Sequence, residues 1–230
     1  MMLTEPAIRD IARAFEEAAP QDILAWAARI FEGRLALACS FGGPSGLVLL
    51  DMAMEIDARI PVYYLDTGLL FAQTYEHIGV IAQRYGIAPI PVRPTRTVDE
   101  QAQDQGPTLW ERDPDLCCNL RKVEPQREFL KNYAAWISGV RRDQSSTRSA
   151  TPIVSWDRKF DLVKINPLAT WTEEMVWTYI HAHGIPYNPL HDEGYPSIGC
   201  ITCTARVQPG EDARAGRWRG FAKTECGLHK

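Results

Sequence analysis

The 230-residue chain has no apolar run near the ~20 residues that a helix needs to cross a bilayer, so no membrane span is expected. Its first twenty residues (MMLTEPAIRDIARAFEEAAP) lack the basic, apolar and small-residue regions of a secretory leader; acids fall inside an apolar helical pattern instead. A cytoplasmic location is the expectation. There is no internal repeat and no low-complexity tract. No glycine-rich loop ends in Gly-Lys-Ser/Thr, which excludes a Walker A phosphate site. A large charge excess is also missing: the net charge is −4, which argues against general nucleic-acid binding. What remains, 45% hydrophobic and 23% charged, is the composition of an ordinary globular domain, and the length suits one domain with an appended segment.

The small net charge hides an asymmetry. Residues 206–230 carry six Lys/Arg (Arg206, Arg214, Arg217, Arg219, Lys223, Lys230) against three acids, so the body of the chain holds the negative excess. A basic tail on an acidic body points to a local anion contact.

The body alternates helical and strand-like patterns. Residues 6–18 and 21–31 read as helices, 35–39 (LALAC) as a strand, 47–55 as a helix and 61–65 (PVYYL) as a second strand. A helix over 71–85 closes at Gly86, and strands follow at 87–92, 134–140 and 162–165. Pro125 is expected to open a helix reaching Asn132, and Thr170 with Glu173 to cap a helix over 170–183. This order predicts an α/β fold with a mainly parallel, twisted sheet flanked by helices over 1–204, and a mobile C-terminal segment over 205–230.

In such sheets ligands bind outside the carboxyl ends of the strands. Three polar loops fall there: 40–46 (SFGGPSG), 66–68 (DTG) and 141–149 (RRDQSSTRS). Ser40 and Gly42 belong to a loop whose N–H groups suit an anion. Asp66 and Thr67 offer a carboxylate and a hydroxyl to a ribose or an amide edge.

Six cysteines occur, and in a chain of this kind clustered cysteines more often mean metal or catalysis than disulfides. Cys117-Cys118 and Cys200-x-x-Cys203 supply four thiolates, which suit zinc or an iron–sulfur cluster. Adjacent cysteines favour the cluster, because neighbouring thiolates then bind different irons. Lys122 follows Cys118 by about one helical turn and would balance thiolate charge or reach a bound anion. Cys39 reads as core.

The tail ends in Thr224-Glu225-Cys226-Gly227-Leu228-His229. Cys226 is easy to deliver to a substrate there, and Lys223 and His229 would favour its thiolate. Arg214 and Arg217, three residues apart, would face one way on a helix and fork an anion. The set predicts attack on an anionic electrophile.

The segments CCNLRKVEP, GCITCT, GEDARAGRW and ECGLH resemble the assimilatory adenosine 5′-phosphosulfate (APS) reductases, sulfonucleotide reductases of the adenine nucleotide α-hydrolase-like fold. The resemblance runs from about residue 35 to 229. It implies a [4Fe–4S] cluster on Cys117, Cys118, Cys200 and Cys203. It implies Cys226 as nucleophile, and APS held by Arg214, Arg217 and Lys122, with Ser40, Gly42, Asp66, Arg141 and Arg142 as further contacts. It also implies a cysteine thiosulfonate and reduced thioredoxin as electron donor, in sulfate assimilation toward cysteine. With Lys230 last, the donor is expected to be a separate protein; a homo-oligomer is compatible with the sequence. Enzymes that use 3′-phosphorylated APS (PAPS) typically lack the four cluster cysteines, so APS is the expected substrate. One departure is Gly43-Pro44-Ser45-Gly46, where such enzymes commonly carry an acid. A tRNA sulfur-transfer or ATP-pyrophosphatase enzyme fits less well, since SFGGPSG is a poor match to its Ser-Gly-Gly-x-Asp-Ser loop. A zinc-stabilised nucleotide-binding module would leave Cys226 and the arginines without a role.

Overall fold

Apolar runs become strands and one-sided apolar stripes become helices in the computed structural model, which describes residues 3–228. Helix α1 (Glu5–Ala14) starts where the Thr4 hydroxyl accepts from the Ala7 N–H, and α2 (Pro20–Ile30) opens on proline. Then come β1 (Leu35–Ala38), α3 (Pro44–Ile56), β2 (Val62–Leu65), α4 (Ala72–Tyr85) and β3 (Ile90–Val92). Gly86 ends α4 in the left-handed region, at φ +62°, as expected of a glycine stop. Short helices α5 (Val98–Gln105), α6 (Leu109–Arg112) and α7 (Pro114–Cys118) lead into a π turn (Asn119–Val123) and α8 (Glu124–Leu130). Strands β4 (Ala135–Ile137), β5 (Val154–Asp157) and β6 (Leu162–Ile165) and helix α9 (Glu173–Ala182) complete the body.

The cap of α9 differs from expectation. Thr172, not Thr170, accepts from the Met175 N–H at 3.2 Å. Residues 168–171 form a turn closed by Trp171 N–H to Leu168 O, so the helix begins later.

One six-stranded sheet runs β3-β2-β1-β4-β6-β5, parallel except for β5, which pairs antiparallel to β6. The mainly parallel sheet flanked by helices is the architecture expected. Leu35, Leu37, Ile137 and Ile165 bury one face with α2, α3 and α9, while Ala36, Tyr63, Trp136 and Leu162 bury the other with Val123 and Leu130. Burial on both faces explains why these strands read as unbroken apolar runs. Parallel pairing of β2, β1 and β4 sends their carboxyl ends to one edge, where the three polar loops meet.

His77 sits on α4 with 4% of its surface exposed, and its Nε2 has no hydrogen-bond partner among the described residues. Burial, then the neighbouring His191, pulls its pKa down to about 4 from 6.5. The unfolded chain therefore binds a proton that the native state refuses as pH falls below 6.5. Stability should drop across the window from pH 6.5 to 4, by about 3 kcal/mol at its end. Urea unfolding at pH 7 and 4 checks this: the acid loss should be smaller in His77→Gln than in the wild type by that amount.

Candidate active site

A cavity of about 350 Å³ opens at the carboxyl edge of the sheet. Ser40, Gly42, Lys122, Arg141, Arg214, Arg217 and Cys226, expected from separate stretches of sequence, all line it.

The glycine-rich loop is held from several sides. Ser40 Oγ accepts from the Gly42 N–H at 3.4 Å, and His191 Nε2–H donates to the Gly42 carbonyl at 2.9 Å. Phe41 is buried in the left-handed region at φ +53°, which turns the chain sharply after β1. Arg141 is also buried; it donates to Ser45 Oγ and, through Nε, to Asp143 Oδ1 at 2.9 Å. Its fork thus ties the loop after β4 to the start of α3.

Two expected contacts are not brought to the cavity. Arg142 donates twice to the Glu16 carboxylate at 2.8 Å and to the Thr151 carbonyl, on the side facing α1. Asp66 accepts from Tyr75 Oη at 2.7 Å, Arg93 Nε at 2.9 Å and the Gly68 N–H at 3.2 Å. Burial opposes its ionisation, yet those donors hold its carboxyl below the usual range, and it closes the turn after β2. Thr67 faces the cysteines: its Oγ1 lies 3.3 Å from Cys200 Sγ.

The π turn after α7 widens the helix where Cys117 and Cys118 end it. It sends Arg121 inward, 3% exposed, to donate to Thr67 O at 2.6 Å and Gln101 Oε1 at 3.1 Å. Lys122 turns to the cavity. Cys200 pairs with Leu70 in an isolated antiparallel bridge, and Cys203 N–H closes the turn onto Cys200 O. All four cysteines are free thiols, three of them buried.

The charges of these sulfurs interact. Burial and the neighbouring Cys118, Cys200 and Cys203 push Cys117 up to about 12. Burial works against ionising Cys200, yet Lys122, the Thr67 hydroxyl and Arg217 bring its thiol below the ordinary range. Burial pulls the Lys122 ammonium down, but Cys200, Cys226 and Cys118 outweigh it and hold it above the usual lysine range. Ionising all four crowded sulfurs together therefore calls for a cationic centre. No three of their sulfurs lie within 4.8 Å of one another among the described residues. A tetrahedral zinc with bonds near 2.3 Å brings its sulfurs to about 3.8 Å apart, closer than this set stands. The donors fit a larger, multi-iron group better.

Residues 205–228, expected to be mobile, fold across the cavity. Thr204 pairs with Arg217, and Trp218 N–H donates to Cys203 O. Arg214 and Arg217 lie on a tight turn, not a helix, with Arg217 N–H donating to Arg214 O at 2.8 Å. Arg217 stacks on Trp218, 4.5 Å from the ring centroid, and its buried Nε has no partner among the described residues. Cys226 is half-buried. Lys223 is drawn instead to Asp115. His229 lies outside the described residues.

The sequence reading missed Arg148, Gln126 and Trp218, which also line the cavity. Arg148 stood in a loop already marked as polar and Trp218 closed the GEDARAGRW segment that carries the resemblance; Gln126 carried no such signal.

Gly199 makes room for Arg217: a Cβ there would come 2.2 Å from Nη2 and 2.6 Å from Cζ. Only the end of a flexible side chain is in the way. Gly199→Ala should therefore leave stability within ~0.5 kcal/mol by urea unfolding. It should weaken phosphate binding about tenfold by calorimetry, because the guanidinium is displaced.

The phosphoadenosine phosphosulfate reductase domain profile matches residues 34–206. An adenosine 5′-phosphosulfate reductase of Halalkalibacterium halodurans is 47% identical, covering 97% of this chain and 96% of its own. A phosphoadenosine 5′-phosphosulfate reductase of Gloeobacter violaceus is 46% identical over 100% and 96%. Among solved structures, a phosphoadenylyl-sulfate reductase from Candida auris in a phosphate complex superposes with TM-score 0.78 at 32% identity, over 89% of this chain and 99% of that one. An FMN adenylyltransferase of Candida glabrata, at 15% identity and TM-score 0.61 over 87% and 66%, shares the fold alone. The adenine nucleotide α-hydrolase-like fold expected from the sequence is the fold observed, and the chain belongs to the phosphoadenosine phosphosulfate reductase family.

Proposed function

We propose that this protein reduces adenosine 5′-phosphosulfate to sulfite and AMP, with Cys226 as nucleophile and reduced thioredoxin as donor. The observation that carries the reading is the meeting of Cys226, Lys122, Arg214 and Arg217 in one cavity beside four further cysteines. Relatives named for adenosine 5′-phosphosulfate stand at 47% and 49% identity and one named for the 3′-phosphorylated substrate at 46%, which favours the former slightly. The four-cysteine set supports the same choice, since the resemblance associates it with the substrate lacking a 3′-phosphate.

The glycine-rich loop and Arg141 shape the nucleotide end of the cavity, and Lys122, Arg214 and Arg217 hold the phosphosulfate. The Cys226 thiolate attacks sulfur; the S–S bond forms as the sulfur–oxygen bond to phosphate breaks, and the electron pair leaves with AMP. The cationic side chains stabilise charge gathering on the departing phosphate oxygen. A thioredoxin thiolate then attacks Cys226 Sγ and expels sulfite. Its second thiol resolves the mixed disulfide, returning Cys226 reduced and leaving thioredoxin oxidised. Cys117, Cys118, Cys200 and Cys203 would hold a [4Fe–4S] cluster, whose contribution when bound is a fixed local charge and scaffold. The process belongs to sulfate assimilation and cysteine biosynthesis.

Purified protein given APS or PAPS with reduced thioredoxin should release sulfite from APS; none from APS would refute the assignment. Cys226→Ser should lower turnover on the order of a thousandfold or more while leaving AMP affinity unchanged. Iron analysis should return about four per chain in brown protein, and Cys200→Ser should lose both iron and colour. A colourless protein holding one zinc would overturn the cluster.

A further inference from the structure

Cys226 is bracketed by contacts that none of its expected roles requires. Glu225, the residue before it, is buried, with 5% of its side chain exposed. Its Oε1 accepts from Arg148 Nε at 2.7 Å and its Oε2 from Arg148 Nη2 at 2.6 Å, a bidentate fork. Thr147 Oγ1 adds a third donor at 3.3 Å. Arg148 is itself 10% exposed and donates from Nη1 to Gln144 Oε1, within the loop that hangs from β4. After the cysteine, Lys159 Nζ donates to the Gly227 carbonyl and Leu228 packs on the core face containing Val123 and Trp136.

We propose that the Arg148–Glu225 ion pair is a latch that seats Cys226 over the anion clamp, making both residues positioning residues for the nucleophile. The proposal rests on Cys226 being the attacking group. A salt bridge suits a reversible device better than an apolar contact does. Its two charges lose hydration when they dock and regain it when they part, so the net value of the closed pair is modest. Losing one partner alone is different, because it strands the other charge in a buried site. The tail can thus lift to admit nucleotide or present Cys226 to a reductant, yet it closes in only one register.

The latch also touches the clamp. Glu225 Oε2 accepts from Arg214 Nη2 at 3.3 Å, and the same Arg214 nitrogen donates to the Thr224 carbonyl at 2.8 Å. One carboxylate therefore holds together two guanidinium groups that otherwise repel. Removing it should free the tail without weakening the site's hold on an anion.

The test uses the full chain as isolated, with Arg148→Met, Glu225→Gln and the double variant. Iodoacetamide modification of Cys226 is followed by mass spectrometry of the C-terminal peptide. Each single variant should raise the modification rate about tenfold, and the double variant no more than either, because both break one interaction. With APS and thioredoxin, kcat should fall about tenfold while KM does not rise. Arg148→Lys keeps the charge but loses the fork, so it should fall between wild type and Arg148→Met. It also serves if Arg148→Met does not fold. Modification rates equal to wild type would overturn the latch, as would single effects that multiply in the double variant. If the wild type makes no sulfite, the reading of function fails, while the modification rates still decide whether the tail is latched.

Discussion

Positive charge gathered in a small, partly dry space is the constraint around which this structure is arranged. Lys122, Arg121, Arg141, Arg148, Arg214 and Arg217 all converge at the carboxyl edge of the sheet. Such a set is stable only if each charge is either solvated or matched. The protein matches them unequally. Arg121 and Arg141 are consumed by carbonyl, carboxylate and hydroxyl oxygens and act as framework. Arg148 is matched by a glutamate that belongs to the tail. Lys122 faces sulfurs, and Arg217 keeps a buried nitrogen without a partner among the described residues. The least matched of these cations, Lys122 and Arg217, both line the cavity that Cys226 also lines.

The sheet makes this gathering possible. Polar loops far apart in sequence become neighbours because β2, β1 and β4 are paired in parallel and end together. The loops are then pinned by short contacts, such as His191 to Gly42 and Arg141 to Ser45, so the cavity wall is not left to loop flexibility. The cysteine pairs are joined the same way, through Thr67 at the end of β2, which reaches Cys200 on one side and receives Arg121 on the other.

Much of this was legible in the sequence where one local pattern carries the signal. Buried strands announce themselves as apolar runs, and the spacing of Cys117-Cys118 and Cys200-x-x-Cys203 singled out four sulfurs that the fold brings near one another. Strand β5 went unread because VSWD is short and only partly buried at the sheet edge. Arg141 and Arg142 are adjacent in one polar loop, and nothing local says that one turns to the cavity and the other to Glu16. The Arg148–Glu225 pair joins residues 77 apart, a distance at which charge alone names no partner. Arg214 and Arg217 line one cavity, but from a tight turn where a helix was expected, since either brings residues three apart near one another.

The π turn at Asn119–Val123 has a consequence for how this segment tolerates change in length. A π turn holds one more residue than the α turn it replaces. Deleting one residue between Cys118 and Glu124 would remove that extra residue, although Pro125 still denies a helical N–H bond at the start of α8. A π turn and the shorter α turn that replaces it advance the helix by nearly the same angle, so side chains from α8 onward would keep their facing and the change would fall on the turn itself, where Arg121 and Lys122 sit. Insertions and deletions here thus trade helical order against the placement of the Lys122 ammonium beside the sulfurs.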